Sequence, residues 1–175
     1  MKKVVYLGNM LSVTELLKSR TDMKFSAWII EKEDLADPAL GDAFRACAVP
    51  AYAVDGSAAL SKTLAKLSFD LGLIANFGLI LGKEDLKTAS GGFVNLHLGL
   101  LPEYPGRNPI QKALDASENT AGVTLHRAVE RADAGPIIDR RMTAIPKSRL
   151  RGDVLVRLEE IALRVLSDNL GGLLK

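Results

Sequence analysis

Three polar residues in the middle of the chain have the types and the spacing for chemistry at an acyl carbon. Asn95 and His97 stand two residues apart in an apolar run, and Asp133 follows in a turn-like segment. Side chains alternate along a strand, so Asn95 and His97 would point to the same face. An amide and an imidazole there could bind one oxyanion together. A carboxylate beside the imidazole would raise its pKa and could move protons, so Asp133 is predicted to assist a protonated His97.

Each of these residues also has an ordinary structural interpretation. An Asn-x-His tripeptide is common, and a lone strand histidine is more often packed or solvated than catalytic. Asp133 stands close to Gly135 and could be a simple turn aspartate. The other histidine, His126, alternates with apolar strand positions, has no partner as a metal ligand and is interpreted as structural. Since the chain has 2 histidines and 1 cysteine, no metal site is predicted.

The composition is that of an ordinary globular domain. The 175 residues are 47% hydrophobic and 25% charged, with a net charge of +2 that gives little support to a nucleic-acid partner. The single Cys47 excludes an intrachain disulfide and is expected to be a structural thiol at the buried end of a helix. We expect a cytoplasmic protein, because the chain shows neither a signal peptide nor a membrane-spanning apolar run.

Strand-like and helix-like segments alternate, which predicts an α/β fold. The expected architecture is one Rossmann-like domain over residues 1–175, with no second domain and with a mostly parallel twisted sheet flanked by helices. Strands are predicted at Val4–Gly8, Phe25–Ile30, Val49–Val54, Phe69–Ala75, Phe93–His97, Gly122–Val129 and Pro136–Ile145. Helices are predicted after Ser12 and at Asp37–Ala46, Gly56–Leu67, Lys83–Ala89, Pro109–Ala116 and Val154–Leu170.

Some local signals refine this scheme. Ser12 and Glu15 have the spacing of a capping box that would open the first helix. Gly8 stands alone after the first strand, which is too weak a signal for dinucleotide binding. The apolar run Asn76–Gly82 follows a strand end and fits either a pocket wall or a buried connection. A basic cluster could meet a phosphate-bearing acceptor or tRNA, although a solvated face is favoured; its members are Arg140, Arg141, Lys147, Arg149 and Arg151.

Four sequence blocks, in order and at matching spacing, resemble the family of formyltransferases that use 10-formyltetrahydrofolate. The blocks are Val94–His97, Leu100–Gly106, Gly122–Glu130 and Asp133–Ile138. The resemblance extends over about residues 68 to 145, while the preceding part matches only in general pattern.

The resemblance implies which residues do the chemistry and which bind the formyl donor. Asn95, His97 and Asp133 would be the catalytic trio, and 10-formyltetrahydrofolate would be the donor. Residues of two loops would enclose the pterin of the folate: Phe77, Gly78, Leu79, Ile80, Leu81, Val129, Glu130, Arg131 and Ala132. Glu130 could equally be a solvated loop charge.

The acceptor implied by the resemblance is a small primary amine. Gly8–Ser12 lacks the phosphate loop of the glycinamide-ribotide branch, and the chain is too short for the RNA-binding domain of the methionyl-tRNA branch, although tRNA stays open. Gly106–Pro109 is more similar to branches that formylate nucleotide-linked amino sugars or amino acids on peptide synthetases. Leu98, Gly99 and Pro105 depart from the common family pattern on the acceptor side.

Alternatives remain at this point. Water could replace the amine, which would make the chain a formyltetrahydrofolate hydrolase with the same trio. A non-catalytic folate-binding or regulatory domain, or a domain belonging to a larger assembly, would also fit. The acceptor, the pathway and the oligomeric state are left open by the sequence.

Overall fold

A seven-stranded sheet forms the centre of the fold in the computed structural model, which describes residues Met1–Lys175. The strands lie in the order β3-β2-β1-β4-β5-β6-β7. Strands β1 to β5 are parallel to one another, whereas β6 pairs antiparallel with both β5 and β7. The strands are β1 Lys3–Gly8, β2 Lys24–Glu31, β3 Ala51–Val54, β4 Leu71–Ala75, β5 Phe93–His97, β6 Thr120–Arg127 and β7 Ile137–Ala144.

Helices connect the strands and cover the sheet. They are α1 Leu11–Ser19, α2 Pro38–Arg45, α3 Ser57–Leu64, α4 Lys83–Leu86, α5 Pro109–Asp115 and α6 Arg151–Leu173, and a 3₁₀ turn spans Lys32–Ala36. The expected mostly parallel α/β sheet is confirmed. None of the helices has both the length and the apolar character needed to cross a membrane.

The two faces of the sheet pack into separate hydrophobic clusters. The larger contains 24 buried residues, including Tyr6 and Val94, and extends to the apolar stripe of α6. The smaller contains 12, including Leu7 and Phe93, and reaches α3. Because side chains alternate, Asn95 shares the face of Phe93 and lies at the carboxyl end of β5.

The start of α1 differs from the predicted capping box. The N-cap is Met10, which offers no side-chain hydrogen bond, and Ser12 lies inside the helix with its buried Oγ unpartnered. The Met10 backbone N–H instead donates to the Tyr6 hydroxyl at 2.9 Å. The prediction was wrong because a buried tyrosine on β1 supplies the acceptor. At α2 the expected start is confirmed, since Asp37 accepts from Ala39 N at 2.8 Å.

Other element boundaries shift by a few residues. β4 begins at Leu71, while Phe69 forms only an isolated bridge with Ala89. Helix α3 is shorter than predicted and α6 is longer at both ends. Cys47 lies just beyond α2 and is half-buried against the larger cluster rather than buried in a helix end.

Gly72 on β4 tests the packing that supports β5. A Cβ at this position would lie 2.0 Å from the ring of Phe93, the cross-strand neighbour. We expect Gly72→Ala to lower the free energy of unfolding by about 1–3 kcal/mol through overpacking. Urea denaturation measures the change. Gly172→Ala in α6 is the control, since its Cβ would meet nothing within 4 Å; equal stability of both variants would contradict this account.

Candidate active site

Asn95 and His97 project from the end of β5 on the face shared with the smaller cluster. The antiparallel register with β6 sets Asn95 opposite His126 and His97 opposite Thr124. His97 is 8% exposed and Asn95 is partly buried. The two side chains therefore face the same side of the sheet, as predicted. The register with β6 determines which residue lies next to each of them.

Asp133 reaches the same place from the loop between β6 and β7. Its backbone is left-handed, with φ of 56°. One carboxylate oxygen, Oδ1, accepts from Asn95 Nδ2 at 3.2 Å, and the other, Oδ2, lies 3.7 Å from His97 Nδ1. The Gly106 backbone N–H donates to Oδ2 at 2.6 Å. The structure thus brings the three predicted residues together, while their catalytic role stays a prediction.

His126 is a fourth member of this cluster, a contact that the structural interpretation from the sequence did not foresee. Its Nε2 lies 3.1 Å from Asn95 Nδ2 and 3.5 Å from Asp133 Oδ1. The ring is 1% exposed. Alternation along β6 could have indicated this position, but only with the knowledge that β6 runs antiparallel beside β5.

The hydrogen-bond network defines the orientation of the Asn95 amide. His126 Nδ1 donates to the Arg127 carbonyl at 2.9 Å, so in the neutral ring Nε2 is an acceptor. Asn95 Nδ2 then donates one hydrogen to His126 and the other to Asp133. A ligand oxygen that takes over the second of these bonds would bind an amide already held in place.

His97 is held at its other nitrogen by the main chain. Nε2 lies 2.8 Å from the Tyr104 carbonyl, which can only accept, so Nε2 carries a proton in either charge state. In the neutral ring, Nδ1 is therefore an unprotonated nitrogen facing Asp133.

The charge state of His97 differs from the expected one. Burial lowers the pKa of His97 below its usual value and outweighs the Tyr104 carbonyl and Asp133, which both act to raise it. His126 and Lys112 lower the pKa further. A resting His97 protonated at neutral pH was the wrong expectation, because desolvation penalises the charged ring.

Asp133 is ionised over the whole working range of pH. The Nε2–H that His126 presents when its ring is protonated contributes most to lowering the pKa of Asp133, and burial opposes it. The Gly106 N–H and His97 lower the pKa further, so that it falls to about 2. The site therefore pairs a fixed negative charge with a neutral imidazole that can accept a proton.

The cluster opens into a cleft of about 500 Å³. Asn95, His97, His126 and Asp133 form part of its wall. Seven of the residues expected at the pterin also line it: Phe77, Gly78, Leu79, Ile80, Leu81, Val129 and Ala132. Glu130 and Arg131 are exposed and do not line the cleft. The segment after β4 is thus a pocket wall rather than a buried connection.

Two charged residues that sequence reasoning missed hold this wall in place. Glu31, at the end of β2, accepts from the Gly78 backbone N–H. Arg107 donates to the Gly78 carbonyl at 3.2 Å. Both residues also line the cleft. Gly78 is thereby held from two sides by elements distant in the sequence.

A second cavity of about 350 Å³ adjoins the cleft and shares five lining residues with it: Asn9, Asn76, Leu98, Asn108 and Pro109. Its apolar lining comes from Met10, Leu11, Ala39, Leu40, Leu98, Pro109, Ile110 and Leu155. Asp37, Arg151 and Glu159 are its charged residues. The cavity is lined by residues of α1, α2, α5 and α6.

A match to a family model accompanies this geometry. The model, described as formyl transferase, matches residues 29–170. The chain belongs to the formyl transferase family. Among curated relatives, the methionyl-tRNA formyltransferase of Rhodopirellula baltica is 36% identical over 109 residues, which are 62% of this chain and 32% of the relative. That of Thermotoga neapolitana is 39% identical over 93 residues, or 53% and 30% of the two chains. The aligned part is about a third of each relative.

Solved structures support the fold. Glycinamide ribonucleotide transformylase 1 from Symbiobacterium toebii superposes with a TM-score of 0.81 at 23% identity, covering 96% of this chain and 85% of that one. A candidate sugar N-formyltransferase from Mycobacterium tuberculosis gives 0.75 at 20% identity, with 99% and 68% covered. At these identities the likeness shows the formyl transferase fold alone.

The basic cluster near β7 is largely paired within the protein. Arg140 donates to Glu103 at 2.7 Å, and Arg141 bonds to Asp139 at 2.7 Å and to Asp168 at 2.9 Å. Arg149 donates to the Glu118 carbonyl at 3.1 Å. The solvated-face interpretation therefore fits better than a free polyanion surface. No group of His, Cys, Asp or Glu side chains has the arrangement of a metal site.

The charge balance at His97 can be measured directly. We expect an NMR titration to give His97 a pKa below the ordinary histidine value of about 6.5. Asp133→Asn should lower it further, because the carboxylate acts to raise it. Asp55→Asn, at an exposed position, is the matched control and should leave the value unchanged. A pKa that rises in Asp133→Asn would contradict the assigned electrostatics.

Proposed function

We propose that this chain transfers a formyl group from 10-formyltetrahydrofolate to a primary amine. The observation that carries the proposal is the convergence of Asn95, His97, His126 and Asp133 on one wall of a cleft, in a member of the formyl transferase family. The apolar loop Phe77–Leu81 supplies another wall, suited to the flat pterin of the donor.

The reaction begins when the amine nitrogen attacks the formyl carbon. Negative charge then develops on the formyl oxygen, and an N–H of the Asn95 amide stabilises it. The amide hydrogen that was bonded to Asp133 turns to the formyl oxygen, while the other stays bonded to His126. His126 thus keeps the Asn95 amide oriented while the acceptor of its second N–H changes from Asp133 to the formyl oxygen.

His97 carries the proton through the reaction. The attacking nitrogen becomes positively charged and gives a proton to Nδ1 of the neutral imidazole. When the tetrahedral intermediate collapses, the C–N10 bond breaks and N10 takes this proton. One proton leaves the amine and one arrives at the folate nitrogen, so the transfer needs no further reactant.

Asp133 supports the charged form of His97 without losing its own charge. Its Oδ2 lies 3.7 Å from Nδ1, so protonation of that nitrogen creates an ion pair in a nearly buried setting. A pKa of about 2 keeps the carboxylate from taking the proton permanently. Asp133 can also pass protons to solvent through the open side of the cleft.

The donor occupies the 500 Å³ cleft in this proposal. The pterin packs between Phe77–Leu81 and the loop that carries Val129 and Ala132. Ile80 and Val129 line the cleft and are 65% and 40% exposed, so their apolar surface is available to pack against the pterin. Glu130 and Arg131 lie beyond the lining and would act only at the edge of the site.

The acceptor is a small primary amine that enters through the adjoining 350 Å³ cavity. An amino sugar linked to a nucleotide is our preferred example, with Arg107 and Arg151 as the cations near its phosphates. Carboxylates at the same openings, among them Asp37 and Glu159, disfavour a long polyanion such as tRNA. We take residues 1–175 as the catalytic domain, whatever further segments the longer relatives use.

Asn95 provides the sharpest test by substitution. Absorbance-monitored release of tetrahydrofolate from 10-formyltetrahydrofolate should require an amine, supplied first as a pool that includes nucleotide-linked amino sugars. Asn95→Ala should lower kcat about 10²–10³-fold by removing the oxyanion donor. The exposed Asn119→Ala is the matched control and should retain activity.

The other outcomes of this assay are informative. Release that is equal with and without amine would point to hydrolysis and overturn the transferase proposal. Donor binding without any release would indicate a folate-binding domain. If 10-formyltetrahydrofolate does not bind, the assignment of the donor fails.

A further inference from the structure

One short turn contacts both acid–base groups of the site. The Tyr104 carbonyl lies 2.8 Å from His97 Nε2, and the Gly106 backbone N–H donates to Asp133 Oδ2 at 2.6 Å. The relative position of the imidazole and the carboxylate therefore depends on the backbone of the turn Tyr104–Gly106.

Side chains outside the cleft hold this turn. The Tyr104 hydroxyl donates to Glu118 Oε1 at 2.6 Å, across the connection between α5 and β6. Lys112 Nζ donates to the Pro105 carbonyl at 2.6 Å. Neither Tyr104 nor Glu118 lines the cleft, so a function in binding substrate does not explain their bond.

We propose that Tyr104 and Glu118 are positioning residues: their hydrogen bond holds the turn so that the Tyr104 carbonyl keeps one proton on His97 Nε2. Nδ1 is then the only nitrogen of His97 that exchanges protons during the reaction. This inference rests on the proposed function for its catalytic consequence, but the tautomer itself is a property of the free protein.

The groups around His97 leave the turn as the controlling contact at Nε2. Asp133 approaches Nδ1 from the β6–β7 loop, while His126 on β6 and Lys112 on α5 act on the ring through charge. The Tyr104 carbonyl is the one hydrogen-bond acceptor of Nε2 in the structure. If it moves away, the neutral ring can place its proton on Nδ1, toward Asp133, and the free base is lost from the reacting side.

The hydrogen bond from the Tyr104 hydroxyl to Glu118 can hold the turn throughout the working range of pH. Its acceptor is charged, and charge-assisted hydrogen bonds are about twice as strong as neutral ones. The bond to Glu118 raises the pKa of the Tyr104 hydroxyl, which therefore remains a donor at working pH. Loss of this bond leaves Lys112 as the remaining side-chain restraint on the turn and removes no residue that lines the cleft.

Tyr104→Phe tests the proposal. ¹⁵N NMR of the free protein should show His97 protonated at Nε2 in the wild type and in mixed tautomers in the variant. The kcat should fall about 10- to 100-fold, since small misplacements of catalytic groups carry costs up to that size, while KM for the folate stays within about twofold. Tyr52→Phe, on the exposed side of β3, is the matched control and should change neither quantity.

Glu118 supplies a second, graded test. Glu118→Ala removes the acceptor and should reproduce the mixed tautomers of Tyr104→Phe. Glu118→Gln keeps an acceptor oxygen and should restore most of the Nε2 tautomer and of kcat relative to Glu118→Ala. This pair keeps the proposal testable if Tyr104→Phe does not fold.

The outcomes separate this inference from the proposed function. A folded Tyr104→Phe or Glu118→Ala with an unchanged Nε2 tautomer would overturn the positioning assignment, even if kcat falls. Altered tautomers in a protein without formyl transfer would support the positioning while the proposed function fails. A Glu118→Gln variant no better than Glu118→Ala would also contradict the assignment.

Discussion

The pairing of β5 with β6 is the constraint on which the site depends. Parallel strands deliver Asn95 and His97 to one end of the sheet, but the antiparallel neighbour sets His126 against the Asn95 amide. Without that pairing the amide could rotate, and its hydrogens would have no defined direction. The left-handed loop residue Asp133 then closes the cluster by accepting from the same amide.

The balance between burial and charge decides how such a cluster can work. Burial makes the neutral form of His97 the resting state. The carboxylate of Asp133 stabilises the imidazolium when His97 takes up a proton. A permanently charged imidazole would stabilise an oxyanion but could not take the proton of the attacking amine. The arrangement therefore favours a histidine that alternates between base and acid, supported by an amide that is oriented in advance.

Much of this could be predicted from the sequence, for reasons that differ by residue. Strand periodicity places Asn95 and His97 on one face, and the resemblance to formyltransferases brings Asp133 to them. The contact of His126 with Asn95 was not predicted, because it depends on which strand lies beside β6, and that is a non-local property. The direction of the pKa shift of His97 was not predicted either, because the cost of desolvation depends on tertiary packing, which a local sequence pattern does not reveal. The Ser12 capping box failed in the same way, because the competing hydroxyl of Tyr6 comes from another element.

The fate of a labelled formyl group tests the central claim most directly. ¹³C NMR would follow 10-[¹³C]formyltetrahydrofolate incubated with the protein and an amine pool. The account predicts that the label moves from the folate into a new formamide, and that this signal is absent in His97→Ala. Label recovered as formate, or remaining on the folate in every amine mixture although the donor is bound, would contradict it.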